Sequence, residues 1–416
     1  MKILVCNKFY FRFGGVESYL FSLSEMQEKH GDQVFPFSMK HERNIATLYD
    51  DFFVTNVVTG GFEGLSFRDK LKTIGRMFYS FEAREKLSSL VKEVRPDIAH
   101  VHGIYHQISP SILPLLKKHG IPTVMTVQDY KLICPNYKFY SNDRVCEKCK
   151  KTQYFQAILN KCIKSSYLAS TICSLEMYVH RFLKIYERNI DVFICPSEWL
   201  KEKMIEYGLP ATKLIHIPNC VDPDAYQPSY SSDNYIVYFG RISEEKGLKT
   251  LVEAMKLARN AKLVIVGEGH LKEELMRHCE LGGIENCDFV GYRNGEELLK
   301  MIKNSRFAVL PSEWYENCPL SVLEAFSCGK PVIGSDIGGI PELVDDGVDG
   351  LLFEPKNATD LAGKIEFLWD NPAMVLQMGK NARKKIEEEY DAERHYERIR
   401  DVYGSLLWQK KARPEV

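Results

Sequence analysis

The stretch "YIVYFGRISEEKGLKTLVEAMKLARNAKLVIVG", Tyr235 to Gly267, sets two short apolar runs on either side of a helical segment beginning near Gly247. Two such strands joined through a helix are parallel neighbours, because a parallel pair needs a long crossover where an antiparallel pair needs only a tight turn. The same alternation continues downstream. Strands are expected at "CDFVG", "FAVLPS" and "PVIGS", with helices beginning near His270, Gly295, Pro319 and Pro341. Upstream the candidate strands are "KILVCN", "QVFPF", "DIAHVH", "PTVMTV" and "DVFICPS". Helices lie between them at "VESYLFSLSEMQEKHG" and "SILPLLKKHG", which end on Gly31 and Gly120 as helix carboxyl ends often do.

The two series are separated by "IPNCVDPDAYQPSYSSDN", where Pro, Asp, Ser and Asn cluster as in a connection between domains. A chain of 416 residues is too long for one ordinary core and suits two. The expected architecture is α/β, two Rossmann-like doubly wound parallel sheets facing a cleft. Residues 1–222 form the acceptor side and 223–391 the donor side. A tail helix over about 392–416 carries the amphipathic "HYERIRDVYGSLLWQ" and is expected to pack back on the first domain.

Composition excludes several classes. Hydrophobic residues at 45% and aromatics at 12% describe a globular chain, not a disordered one. A net charge of −1 argues against nucleic acid as a partner. Locally, Ile112 to Met204 holds fifteen Lys/Arg against eight Asp/Glu. That excess is either a solvated basic surface or an attraction for anionic lipid or a phosphorylated acceptor. "MKILVCNKFY" reads as a strand rather than a signal peptide, and no apolar run reaches 18 residues, so the expected location is cytoplasmic.

Ligands of open parallel sheets bind beyond the strand carboxyl ends. "GRISEEKG" places Arg241 and Lys246 there, where two fixed cations can stabilise a departing diphosphate without a catalytic metal. Downstream, "YENCPLSVLEA" puts Glu316 ahead of a helix opened by Pro319 and Glu324 in its second turn. The helix amino end between them, at Leu320 and Ser321, favours a phosphate, leaving Glu324 for ribose hydroxyls and Glu316 for a sugar. The plain alternative is a capping acid plus an exposed helical glutamate. Gly14 and Gly15 after the first strand either let amides approach a ligand or make a tight turn.

With these residues in place the chain resembles the family 4 retaining glycosyltransferases of the GT-B fold. The resemblance rests on "ENCPLSVLEAFSCGKPVIGSDIGGIPELVDDGVDGLL", "GRISEEKG", the "GGVE" loop at Gly14 to Glu17, and "IPNCVD", with Cys220 where the family has glycine. It spans about Met1 to Tyr403. It implies a UDP- or GDP-sugar donor, with Gly240, Arg241 and Lys246 on the diphosphate, Glu324 on ribose and Glu316 on the donor sugar. Gly267, Gly269, Gly291 and Tyr292 would face the base. It implies front-face displacement, the leaving phosphate taking the acceptor's proton, and a glycan or lipid-linked acceptor; contact at the inner membrane face is read from the basic excess instead. His102 and Asp129 end strands facing the cleft and are the candidates for assisting the acceptor hydroxyl, with His106 as a weaker one; Gln128 stands where many relatives have histidine.

The alternatives are a nucleotide-sugar epimerase of the same fold and a non-catalytic nucleotide-sugar-binding subunit. A nicotinamide dehydrogenase is excluded by the lack of G-x-G-x-x-G after the first strand. In the irregular segment Asp129 to Ser166, Cys134, Cys146, Cys149 and Cys162 have a spacing that suits structural zinc, a disulfide or redox pair, or free thiols. The helix in "SSYLASTICSLEMYVHRFLKIYER" is read as either a membrane-surface or lipid-acceptor contact or ordinary core packing.

Overall fold

The computed structural model of the chain describes residues 1–56 and 67–412. Two six-stranded sheets form, with every pairing parallel. The first contains β1 (Lys2–Cys6), β2 (Gln33–Phe37), β3 (Ile98–Val101), β4 (Thr123–Thr126), β5 (Val192–Cys195) and β6 (Leu214–His216), in the order β2-β1-β3-β4-β5-β6. The second contains β7 (Ile236–Phe239), β8 (Leu263–Val266), β9 (Cys287–Gly291), β10 (Ala308–Leu310), β11 (Val332–Ser335) and β12 (Gly350–Phe353), in the order β12-β11-β10-β7-β8-β9. β6 and β12 are not among the strands expected from sequence. β6, "LIH", has the broken burial pattern of an edge strand, and β12, "GLLF", lies at the other sheet's edge.

Central strands such as β3, β4, β7 and β8 are buried at every residue, as helices on both faces require. That is why they read as unbroken apolar runs. Helices cover the first sheet to make one large cluster around Leu4, Leu87, Leu116 and Phe193, and another around Ile3, Val5 and Ile194. The second sheet has its own pair, around Leu251 and Ile265 and around Val237 and Leu323.

Each sheet has one point where strand order reverses, and the crevice for a ligand opens there. In the first it lies between β1 and β3, in the second between β7 and β10. The β1 end carries the loop to Gly14; the β7 and β10 ends carry Arg241–Lys246 and Ser312–Glu316.

The tail helix runs Ala392–Ala412, and residues 413–416 of its expected span lie outside the described residues. Its Ile399, Tyr403 and Leu406 join the cluster with Ile3, Tyr19 and Leu20 of the first sheet's side. Polar ties fix the same contact. Tyr403 Oη stands 2.6 Å from His100 Nδ1, and Gln27 donates to Tyr403 at 3.2 Å.

Candidate active site

Glycine chemistry shapes the loop after β7. Gly247 has φ of +67°, and a Cβ there would stand 1.8 Å from the Pro311 carbonyl oxygen, so the β7 loop is pressed directly onto the β10 loop. The Glu313 N–H donates to the Glu245 carbonyl at 2.9 Å and seals the pair. This approach delivers Lys246 to Glu316. Lys246 Nζ lies 2.6 Å from Glu316 Oε1, which also accepts from Ser312 Oγ at 2.5 Å. Burial by itself raises the Glu316 carboxyl, but Lys246 and Ser312 outweigh it and hold the group below the usual range.

Arg241 is 59% exposed, and Nη2 is 3.7 Å from the buried Glu245 carboxylate. It is therefore held loosely and open to an anion. On its other side Glu245 meets Lys138 of the first sheet's segment at 3.3 Å.

The helix Leu320–Ser327 begins one residue later than expected. Pro319 is extended and stands just ahead of it, and no side chain caps the end. The helix Gly15–Lys29 has Gly14 at its cap position, and the buried Glu17 carboxylate of its first turn accepts from the Gly14 and Glu17 N–H groups there. The two ends face one another: a Cβ built on Gly15 would be 3.8 Å from Leu320 Cδ1. The end at Leu320 has free N–H groups a few residues after Glu316, the partner of Lys246, while Glu17 fills the end at Gly14.

Glu324 accepts from Tyr226 Oη at 3.5 Å, and burial pushes its carboxyl up to about 7. Gly240, Gly267 and Gly269 stack backbone on backbone. A Cβ on Gly267 would meet the Gly240 carbonyl oxygen at 1.9 Å, and one on Gly269 the Ile242 carbonyl oxygen at 2.0 Å. Gly291 has φ of +77° at the end of β9, and Tyr292 beside it is exposed.

The segment around Glu316 is also the crossing point between the two sheets. Tyr130 Oη donates to the Tyr315 carbonyl at 2.7 Å, Asn317 Nδ2 to the Val127 carbonyl at 3.1 Å, and Tyr315 Oη to Glu147 at 2.8 Å. Gly339, whose Cβ would stand 1.8 Å from the Asn317 carbonyl oxygen, donates its N–H to the Glu316 carbonyl at 2.7 Å. Sequence reasoning missed Ser312, Glu245, Asn317 and the Gly338-Gly339 pair. The "IGGIP" between Ile337 and Pro341 was the available signal for the last of these.

A cavity of about 850 Å³ opens on the first sheet's side, with Lys8, Tyr105, His106, Asp129 and Lys131 in its wall and Glu244 and Glu245 at its rim. Asp129 thus lies in the wall of this cavity. Burial raises its carboxyl, against the opposing effect of the Lys131 N–H at 2.9 Å. His102 is different. It is enclosed at the end of β3, stacked on His100 with ring centroids 4.4 Å apart and edge-on to Tyr19, and it does not line the cavity. Burial drives its imidazole down to about 3, so it stays neutral, and the expectation of a titratable group facing the cleft is corrected. His106 does line the cavity, 3.1 Å from Glu176 Oε2, but burial and Lys131 lower it too.

Of the alternatives for the cysteines, the structure speaks against a disulfide. Cys134, Cys146, Cys149 and Cys162 are all free thiols, so no disulfide joins them. They share a neighbourhood, since Cys134, Cys162 and Cys146 each act on Cys149. Among the described residues, however, the group of three or more potential ligands close enough to hold an ion is His106, Cys173 and Glu176. The quartet is not drawn into a tetrahedron, because Cys134 turns to Asn136 Oδ1 at 3.0 Å and Cys162 to Ser141 Oγ at 3.5 Å. The His106 group already contains a cation, the Lys131 ammonium 2.6 Å from Glu176 Oε2.

With this geometry in view the comparisons are decisive. The Glycosyltransferase Family 4 model matches residues 13–225, and the Glycosyl transferases group 1 model matches residues 224–385. The chain belongs to glycosyltransferase family 4. The family 4 chain is 25% identical to the O-antigen chain mannosyltransferase C of Escherichia coli, over 99% of this chain and 100% of that one. It is 26% identical to an uncharacterized 42.6 kDa protein in the cps region of Klebsiella pneumoniae, over 82% of this chain and 87% of that one. The sucrose-phosphate synthase of Thermosynechococcus elongatus shares its fold with a TM-score of 0.72 at 21% identity, covering 98% of this chain and 99% of that one. Anabaena HepE, solved in complex with UDP and glucose, matches with a TM-score of 0.67 at 18% identity, covering 97% and 100%. The GT-B architecture and the glycosyltransferase class follow. Among the described residues no helix is long and apolar enough to cross a membrane.

Proposed function

We propose that this family 4 chain moves a hexosyl or hexosaminyl group from a UDP- or GDP-sugar to an acceptor hydroxyl with retention at the anomeric carbon, in the synthesis of a surface polysaccharide or lipid-linked oligosaccharide. One observation carries the reading: the uncapped amino end at Leu320 follows Glu316, which pairs with Lys246, and lies next to Gly15 of the other sheet's helix. Arg241 and Lys246 hold the diphosphate, the amides near Leu320 and Ser321 share its charge, and Glu324 takes the ribose hydroxyls. Glu316, fixed by Ser312, receives the sugar hydroxyls.

In the step, the bond from C1 to the diphosphate oxygen breaks and the acceptor oxygen bonds C1 on the same face. The acceptor proton passes to the leaving diphosphate, which departs as the nucleoside diphosphate. The two cations stabilise the charge that grows on the leaving oxygens. The names of the Escherichia coli relative and the HepE complex support a glycan product and a nucleotide-sugar donor. A panel of UDP- and GDP-sugars tested for slow release of nucleoside diphosphate by the isolated chain is expected to yield turnover with at least one. Release or binding with none overturns the reading.

A further inference from the structure

The helix Tyr167–Leu183 is apolar on both sides. Its buried side carries Ile172, Cys173 and Met177 together with Ser170, Ser174, Glu176 and His180. Glu176 is fully enclosed, with Lys131 at 2.6 Å, His106 at 3.1 Å and His180 at 3.4 Å, so the helix spends its ionic groups inward. Its outward side is apolar: Tyr167, Leu168, Leu175, Tyr178, Val179 and Phe182 are all exposed, Leu168 at 67% and Phe182 at 86%. These positions fall on one stripe at helical spacing, and no Asp, Glu, Lys or Arg interrupts it. The neighbouring short helix extends the patch with exposed Phe155 and Leu159, and Tyr178 Oη accepts the Phe155 N–H. Single exposed apolar residues need no explanation, but a contiguous stripe of this length does.

The rim of the stripe is basic. Exposed Lys148, Lys151, Lys161 and Lys164 lie at its amino end, and Lys184 and Arg188 follow its carboxyl end. Between Lys148 and Arg188 there are two acidic residues, Glu176, which is enclosed, and Glu187, which is bound to Arg181. An apolar stripe ending in aromatics and bounded by lysines fits the boundary of an anionic bilayer, with rings among the acyl chains and ammonium groups among the phosphates. A second copy fits poorly, since an antiparallel pairing of the stripes sets one basic end against the other. The inner side of the same helix, through Ala169, Ile172 and Cys173, lines the cavity that holds Asp129.

We infer that the outward face of the helix Tyr167–Leu183, with Phe155 and Leu159, is a docking surface for an anionic lipid bilayer, which sets the acceptor cavity beside the membrane so that a lipid-borne acceptor enters from it. The docking stands on the surface alone; the acceptor's route rests on the transferase reading proposed above.

The test is flotation of the full chain with vesicles of phosphatidylcholine alone and of phosphatidylcholine with phosphatidylglycerol, comparing the unaltered protein with L168S/F182S. Both positions are exposed, so the pair keeps the fold, checked by an unchanged melting temperature. The unaltered chain is expected to float with the phosphatidylglycerol vesicles, and the variant to bind at least roughly tenfold more weakly. Three results overturn the proposal: no binding above the neutral vesicles, binding that the pair leaves unchanged, or light scattering that shows a dimer of the unaltered chain which the pair dissolves. Nucleoside diphosphate release without vesicles is read in the same preparations and is unchanged by the pair. A failure of the transferase reading therefore appears in that assay and not in the flotation.

Discussion

The ammonium of Lys246, on the loop after β7, rests 2.6 Å from the carboxylate of Glu316, on the loop after β10, with both side chains largely withdrawn from water. A buried ion pair contributes little net stability, but removing one member strands the other. Lys246→Ala and Glu316→Ala are each expected to cost about 3 kcal/mol of stability, and K246A/E316A to melt above either single variant. Thermal melting of the three proteins checks this.

The same residues separate in their effect on turnover. Arg241→Ala and Lys246→Ala are expected to lower kcat by about 10²–10³-fold, since each removes charge aimed at the leaving diphosphate. Asp129→Asn is expected to cost about tenfold, and His102→Asn less, because the enclosed imidazole is neutral and the leaving diphosphate takes the proton. A kinetic series in which H102N is the most damaged contradicts the mechanism.

Glu324 gives a pH dependence with a definite sign. Its carboxyl titrates near 7 in the folded chain against 4.5 when free. Between those values the folded protein holds a proton that the unfolded one has lost, so stability declines as pH rises through that window. Donor binding runs the other way, because ribose hydroxyls donate to the ionised form. Affinity is expected to be roughly tenfold weaker at pH 6 than at pH 8, and Glu324→Gln to flatten both slopes. Melting and donor titration across pH 5 to 8 provide the check.

The glycines divide by what surrounds them. Gly267→Ala drives a methyl into the Gly240 carbonyl oxygen 1.9 Å away and is expected to destabilise by about 3 kcal/mol. Gly14→Ala finds its nearest neighbour at 3.8 Å, so the fold tolerates it. If the diphosphate rests there, G14A keeps its melting temperature and loses donor affinity; unchanged affinity places the ligand elsewhere.

Metal content separates the fates of the four cysteines. With Cys134 and Cys162 turned to Asn136 and Ser141, the purified chain is expected to carry far less than one zinc. Stoichiometric zinc by elemental analysis contradicts the free-thiol geometry.

Most of the architecture is written locally. Runs such as "YIVYFG" and "KLVIVG" are continuous because β7 and β8 are covered on both faces, and that pattern survives in one sequence. That Arg241, Lys246 and Glu316 follow strand ends was legible for a related reason, since the apolar runs ahead of them mark β7 and β10. Their mutual geometry was not legible. Nothing in spacing says that Lys246 reaches a carboxylate seventy residues on; the contact depends on Gly247 meeting the Pro311 carbonyl. His102 misled because a strand end fixes position but not exposure, and Tyr19 and His100 close over it. The cysteine spacing permitted a tetrahedron, but spacing does not orient sulfurs.

The most direct measurement is calorimetric titration of UDP and of GDP into the unaltered chain and into R241A/K246A. The account predicts that one of the two nucleotides binds the unaltered chain and that the double variant binds it at least about 100-fold more weakly. Binding of neither nucleotide, or equal affinity for the variant, contradicts the placement of a nucleotide-sugar diphosphate between Gly14-Gly15, Leu320 and these two cations.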